Sequence, residues 1–118
     1  MIIELNDNNY SEFIEHTDLP VFIDFYSPSC GPCQEVLQLL PQLEEYFKDT
    51  AVISKVNITQ NPRLAQKYEI NSVPFCVSIG KKDKIVKDYE LGAASMQRYI
   101  NMLKKAQGKG FFSRMFGQ

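Results

Sequence analysis

The chain has 118 residues, enough for one domain to bury a core of its own without metal or structural disulfides. It is 44% hydrophobic and 23% charged with a net charge of −1, the balance of an ordinary globular protein and no basis for general nucleic-acid binding. Three cysteines do not make the disulfide framework of a small secreted domain, the amino terminus lacks the basic and long apolar regions of a signal peptide, and no apolar run approaches the roughly 18 residues of a membrane span, so the cytoplasm is the expected setting.

Charge is unevenly placed. Nine acids and no Lys or Arg precede Lys48; from there on thirteen bases face five acids. Either the two halves interleave in the fold, or the chain presents an electrostatic docking face to a charged partner.

Ile2 to Leu5 reads as a short strand. Asn6 or Asp7 is placed to cap a helix carrying Tyr10, Phe13 and Ile14 at i, i+3, i+4. His16, the single histidine, falls at the end of that helix and far in sequence from the cysteines, so it reads as a solvated helix-end residue rather than a catalytic base. After Leu19-Pro20, the run Val21-Phe22-Ile23-Asp24-Phe25-Tyr26 is a strand covered on both faces. Asp24 interrupts it. A carboxyl there either reaches water at the sheet end or is buried, protonated and serves a purpose.

Ser27-Pro28-Ser29 leads to Cys30-Gly31-Pro32-Cys33, and a helix is expected from Gln34 to about Phe47. Two thiols separated by two residues at the head of a helix form a redox device. The free N–H groups and dipole of a helix N-terminus stabilise a thiolate on Cys30, and Pro32 has no N–H to leave unsatisfied. Val36, Leu37, Leu39, Leu40, Leu43, Tyr46 and Phe47 give the helix a wide apolar face, and Pro41 is expected to kink it. Ala51 to Asn57 is a second buried strand. Asn61-Pro62 opens a short helix, Arg63 to about Tyr68, and Val73-Pro74 leads into a strand, Phe75 to Ile79, that holds Cys76. Cys76 reads as a small core side chain; the alternative is a third thiol that modulates the pair or is itself oxidised. The three cysteines and the distant histidine match no usual zinc spacing, so no metal is expected. A polar turn, Gly80 to Lys84, precedes a charge-rich edge strand, Ile85 to Glu90, and Ser95 caps a last helix with Met96, Tyr99, Ile100 and Leu103 on one face. Gly108-Lys109-Gly110 then separates a Phe-rich basic tail, residues 108–118, from the domain of residues 1–107. The tail either packs on its own domain, stays free, docks a partner or touches a membrane surface.

Several separate features resemble the thioredoxin family over about Ile2 to Lys105. They are Cys30-Gly31-Pro32-Cys33, Asp24 ahead of it, the run Lys55-Val56-Asn57-Ile58-Thr59-Gln60-Asn61-Pro62, Val73-Pro74, and Leu91-Gly92-Ala93 before the last helix. The resemblance implies an α/β fold, a central mixed sheet flanked by helices on both faces. It implies protein-disulfide reduction through a Cys30–Cys33 dithiol/disulfide pair, with no bound cofactor. Asp24 would shuttle a proton to and from Cys33, with Lys55 nearby. A cis Val73–Pro74 bond would pack on the disulfide, and Ser29, Ile58, Val73, Pro74, Gly92 and Ala93 would meet substrate. Disulfide-containing proteins and a flavin-containing thioredoxin reductase are the implied partners of a monomer.

The chain departs from the family at two positions. Ser29 stands where thioredoxins usually carry Trp, and the chain has no Trp at all, so Tyr26 or Phe75 would have to supply the aromatic shoulder. Gln34 stands where many members carry Lys, which removes a positive charge near the thiolate. These changes motivate an alternative in which the pair works as a disulfide oxidant or isomerase. A second alternative is a binding module that docks a partner through the tail.

Overall fold

Strand Val21–Tyr26 is the second of five and the centre of the sheet, and Val21 to Phe25 are buried. The computed structural model describes residues 1–108. In chain order the elements are β1 (Ile3–Glu4), α1 (Tyr10–His16), β2 (Val21–Tyr26), α2 (Gly31–Phe47), β3 (Val52–Asn57), α3 (Pro62–Lys67), β4 (Phe75–Ile79), β5 (Val86–Leu91) and α4 (Met96–Gln107). The sheet order is β1-β3-β2-β4-β5. β3 runs parallel to both β1 and β2, whereas β4 is antiparallel to β2 and β5 is antiparallel to β4. The fold is the expected mixed α/β sheet with helices on both faces. The position of β3 between β1 and β2 interleaves the acidic and basic halves of the sequence.

Alternation along β2 sends its residues to two cores. Phe22 packs with Val36, Leu40 and Leu43 of α2 and with Tyr99 and Leu103 of α4. Val21, Ile23 and Phe25 pack with Tyr10 and Ile14 of α1 and Leu64 of α3. Phe22 and Tyr99 meet edge to face at 5.4 Å, a geometry that favours the ring quadrupoles.

α2 starts at Gly31, three residues before the expected Gln34. Cys30 takes the extended conformation of an N-cap, and its sulfur accepts a hydrogen bond from the Cys33 amide at 3.1 Å. Cys33, Val36, Leu40, Leu43 and Phe47 are its buried stripe. The helix continues through Pro41 to Phe47, because burial of Leu40 and Leu43 on either side holds it against the sheet.

Capping of the first helix also differs from expectation. Asn6 Oδ1 accepts from the amides of Asn8 and Asn9 and turns the chain into α1, whose own N-cap, Asn9, makes no side-chain capping bond. Asp7 caps α3 instead: its carboxylate accepts from the amides of Arg63 at 3.1 Å and Leu64 at 2.9 Å, while Asn61 Oδ1 accepts from the Asp7 amide. A helix end needs an acceptor wherever one can be brought, and β1 delivers Asp7 beside α3. His16 is exposed at the end of α1, its Nδ1 2.9 Å from the Glu12 carbonyl oxygen, as expected of a helix-end residue. Ser95 caps α4 through its hydroxyl, and Arg98 ties that helix to β5 through Asp88 and Glu90. Residues 109–118 of the tail lie outside the described residues.

Candidate active site

Because β2 and β3 are parallel and β4 returns antiparallel, four connections gather at one end of the sheet: the loop after β2, the turn after β3, the entry to β4 and the exit from β5. Cys30 lies in the first, Ile58 in the second, Val73 and Pro74 in the third, Gly92 and Ala93 in the fourth.

Cys30 and Cys33 form a disulfide, with Cα atoms 5.2 Å apart. Cys33 is fully buried and Cys30 half-buried, whereas Gly31 and Pro32 are exposed. The outer sulfur is therefore the one an incoming disulfide can reach, and the inner one faces the sheet with the rest of the buried stripe of α2. The Val73–Pro74 peptide is cis, as the resemblance implied, and the Val73 carbonyl oxygen lies 3.7 Å from Cys30 Sγ. Pro74 is buried, and its carbonyl accepts from the Gly92 amide at 2.8 Å. Gly92 has φ +88°, a left-handed conformation that glycine adopts without strain. Ser29 and Ala93 are exposed on the rim.

Cross-strand pairing lines up a row of polar residues, Glu4, Lys55, Asp24, Cys76 and Glu90, one from each strand. Asp24 sits at its centre with no exposed surface. Burial pushes its carboxyl up from 3.8 to about 7; a hydrogen bond from Cys76 and the charge of Lys55 oppose the shift. Cys76 Sγ lies 3.6 Å from Asp24 Oδ1, within reach of a thiol hydrogen bond. Asp24 Oδ2 is buried with no hydrogen-bond partner among the described residues. Burial and the neighbouring Asp24 push the Cys76 thiol well above its ordinary value, so the thiol stays protonated and acts as a donor.

Ile58 sits at the right end of the sheet, its amide donating to the Tyr26 carbonyl, but its side chain packs on the core shared with α1 and α3. Lys55 pairs with Glu4 at 3.6 Å and reaches Asp24 only through space. Tyr26 donates to Glu4 Oε2 at 3.1 Å, and Phe75 stacks on Phe25 and Tyr89 across the sheet from α2; neither set of contacts involves the disulfide. Gln34 is exposed. Sequence reasoning buried Cys76 correctly but missed its partner, because the antiparallel register that sets Cys76 opposite Asp24 is not written in either strand alone. Among the described residues, no group of three His, Cys, Asp or Glu side chains is arranged to hold a metal ion.

The family model for thioredoxin matches residues 1–105. Thioredoxin from Griffithsia pacifica is 31% identical over 104 residues, covering 88% of this chain and 94% of that protein. Thioredoxin C-3 from Corynebacterium nephridii is 32% identical over 110 residues, covering 90% of this chain and 74% of that protein. The crystal structure of chloroplastic thioredoxin z superimposes with a TM-score of 0.80 at 20% identity, over 90% of this chain and 94% of that one, a likeness of fold. With a dithiol motif at the head of α2 and sequence relatives that span nearly the whole domain, the chain belongs to the thioredoxin family of thiol–disulfide oxidoreductases.

Proposed function

We propose that the protein reduces disulfides in other proteins. The observation that carries this reading is the asymmetry of the pair: an accessible Cys30 and a buried Cys33 on the sheet face that holds Asp24. In the dithiol form, Cys30 as thiolate attacks a substrate disulfide. One new S–S bond forms, the substrate S–S bond breaks, and the first substrate sulfur leaves as a thiolate that takes a proton from solvent. The Cys33 thiol then gives its proton to the Asp24 carboxylate and its thiolate attacks Cys30 Sγ. The mixed disulfide breaks, the second substrate sulfur leaves, and the Cys30–Cys33 disulfide carries the two electrons' worth of oxidation. Asp24 serves this step because, poised near neutrality, it is ionised often enough to accept a proton and holds it weakly enough to return it.

Val73 offers its backbone beside Cys30, which suits β-addition of an extended substrate segment, with Pro74, Gly92, Ala93 and Ser29 around it. The pair needs an external electron donor. By family resemblance that is a thioredoxin reductase; the setting we propose is the cytoplasm, with the protein acting as a monomer.

Dithiothreitol-driven reduction of insulin, followed as precipitation of the freed B chain, tests the reading. Catalysis above the dithiothreitol background is expected from the wild type and none from Cys30→Ser; a wild type no faster than background overturns it. The exposed Ser29 and Gln34, which replace an aromatic and a cationic neighbour of the family's disulfide, favour one second reading, an oxidant or isomerase. A reduction potential near about −270 mV supports the reductase, and one between about −180 and −120 mV supports the second reading.

A further inference from the structure

We propose that Cys76 is a positioning residue for Asp24: its thiol holds Oδ1 and leaves Oδ2 as the oxygen that takes and releases the proton. The inference rests on the proton-carrier reading of Asp24 above and deepens it.

Three observations meet here. Asp24 and Cys76 are directly opposed across β2 and β4, so both side chains leave the sheet on the face covered by α2 and α4. Both are fully buried, and the Asp24 oxygen 3.6 Å from the Cys76 sulfur is an acceptor in reach of the thiol. The other carboxylate oxygen is buried and unpartnered among the described residues. A carboxylate with one oxygen held by a donor and the other bare presents a single site to a proton.

The Ala94 amide donates to the Tyr99 hydroxyl at 2.9 Å, and Tyr99 is buried in the same core as Cys76. The other groups that face this centre come from every neighbouring strand and helix. They are Lys55 on β3 with Glu4 of β1 beyond it, Glu90 on β5 held by Arg98, Tyr26 on β2 itself, and Cys33 on the stripe of α2 that faces the sheet. Among the described residues none of these makes a direct hydrogen bond to the Asp24 carboxyl; Cys76 does.

The test is a carbon-13 NMR titration of the Asp24 side-chain carboxyl carbon in the oxidised full-length protein, alongside the pH profile of mixed-disulfide resolution in the reduced one. Cys76→Val fills the site without a donor and is expected to raise the Asp24 midpoint by about one unit. Cys76→Ser restores a donor and is expected to return it. At pH 7 an upward shift of about one unit leaves less carboxylate, so Cys76→Val is expected to resolve the mixed disulfide about five-fold more slowly, with its pH profile displaced by the same amount. A midpoint that stays in place in Cys76→Val, or that remains displaced in Cys76→Ser, overturns the role of Cys76. Asp24→Asn separates the two readings. If it removes the inflection near neutrality while Cys76→Val moves nothing, the inference about Cys76 falls and the proton carrier stands. If it leaves the resolution profile unchanged, the proton carrier falls and takes Cys76's role with it.

Discussion

The Gly92 amide donates to the Pro74 carbonyl across 2.8 Å and thereby fixes the loop after β5 to the segment that touches Cys30. Gly92 holds φ +88°, and a Cβ added there would meet nothing within 4 Å. The cost of Gly92→Ala is therefore conformational rather than steric. Urea unfolding is expected to show a loss of about 1 kcal/mol with an unchanged m-value. A loss several times larger would reveal a contact that the open surroundings do not show.

The buried carboxyl sets a pH dependence of stability. Asp24 titrates near 7 in the folded chain and near 3.8 when unfolded. Between those values the folded chain keeps a proton that the unfolded chain has lost, so stability falls as pH rises from about 4 to about 7 and is level above. The shift of about three units corresponds to about 4 kcal/mol. Asp24→Asn has no charge to bury at any pH. It is expected to exceed the wild type in stability at pH 8 by up to about 4 kcal/mol, less whatever its unpaired amide hydrogens cost, and to lose that advantage by pH 4. Denaturant curves at the two pH values measure this, and a wild type of equal stability at both would show that Asp24 is not held near neutrality.

Lys55 contributes to the same titration from the opposite strand. Its charge stabilises the Asp24 carboxylate without touching it. Lys55→Met is expected to raise the Asp24 midpoint by about half a unit, and added salt is expected to shrink the difference between the two proteins because Lys55 is partly open to solvent.

The division of labour between the sulfurs predicts which variant traps a substrate. Cys33→Ser leaves Cys30 accessible and removes the resolving thiol. Mixed with a disulfide-bearing protein, it is expected to accumulate a covalent one-to-one adduct visible by mass and released by dithiothreitol, whereas Cys30→Ser gives none.

Much of this was legible from local sequence. A carboxyl inside an apolar run marks Asp24, and the strand-to-helix setting marks Cys30 and Cys33, because strand burial and helix-end chemistry are local properties. What escaped depends on partners far along the chain. Cys76 is an apolar-looking residue until register sets it opposite Asp24. The start of α2 was misjudged because Cys30, a redox residue, also serves as the N-cap. Ile58 is expected to meet substrate and Tyr26 or Phe75 to supply the aromatic shoulder, yet the side chains of Ile58 and Phe75 turn to the core on the other face of the sheet, and side-chain facing follows from register.

For the same reason either Asn6 or Asp7 is expected to cap the neighbouring helix, and the partner that Asp7 has instead carries a consequence. α3 has six residues, too few to be stable alone, and the acceptor for its first amides arrives from the opposite end of the chain. The Asp7 carboxylate works as a splint, so β1 and α3 are expected to open and close as one unit. Hydrogen exchange at Leu64 therefore reports the attachment of the first seven residues, and Asp7→Ala is expected to speed it by roughly the factor that about 1 kcal/mol of lost cap implies, leaving the amides of α2 at their former rates.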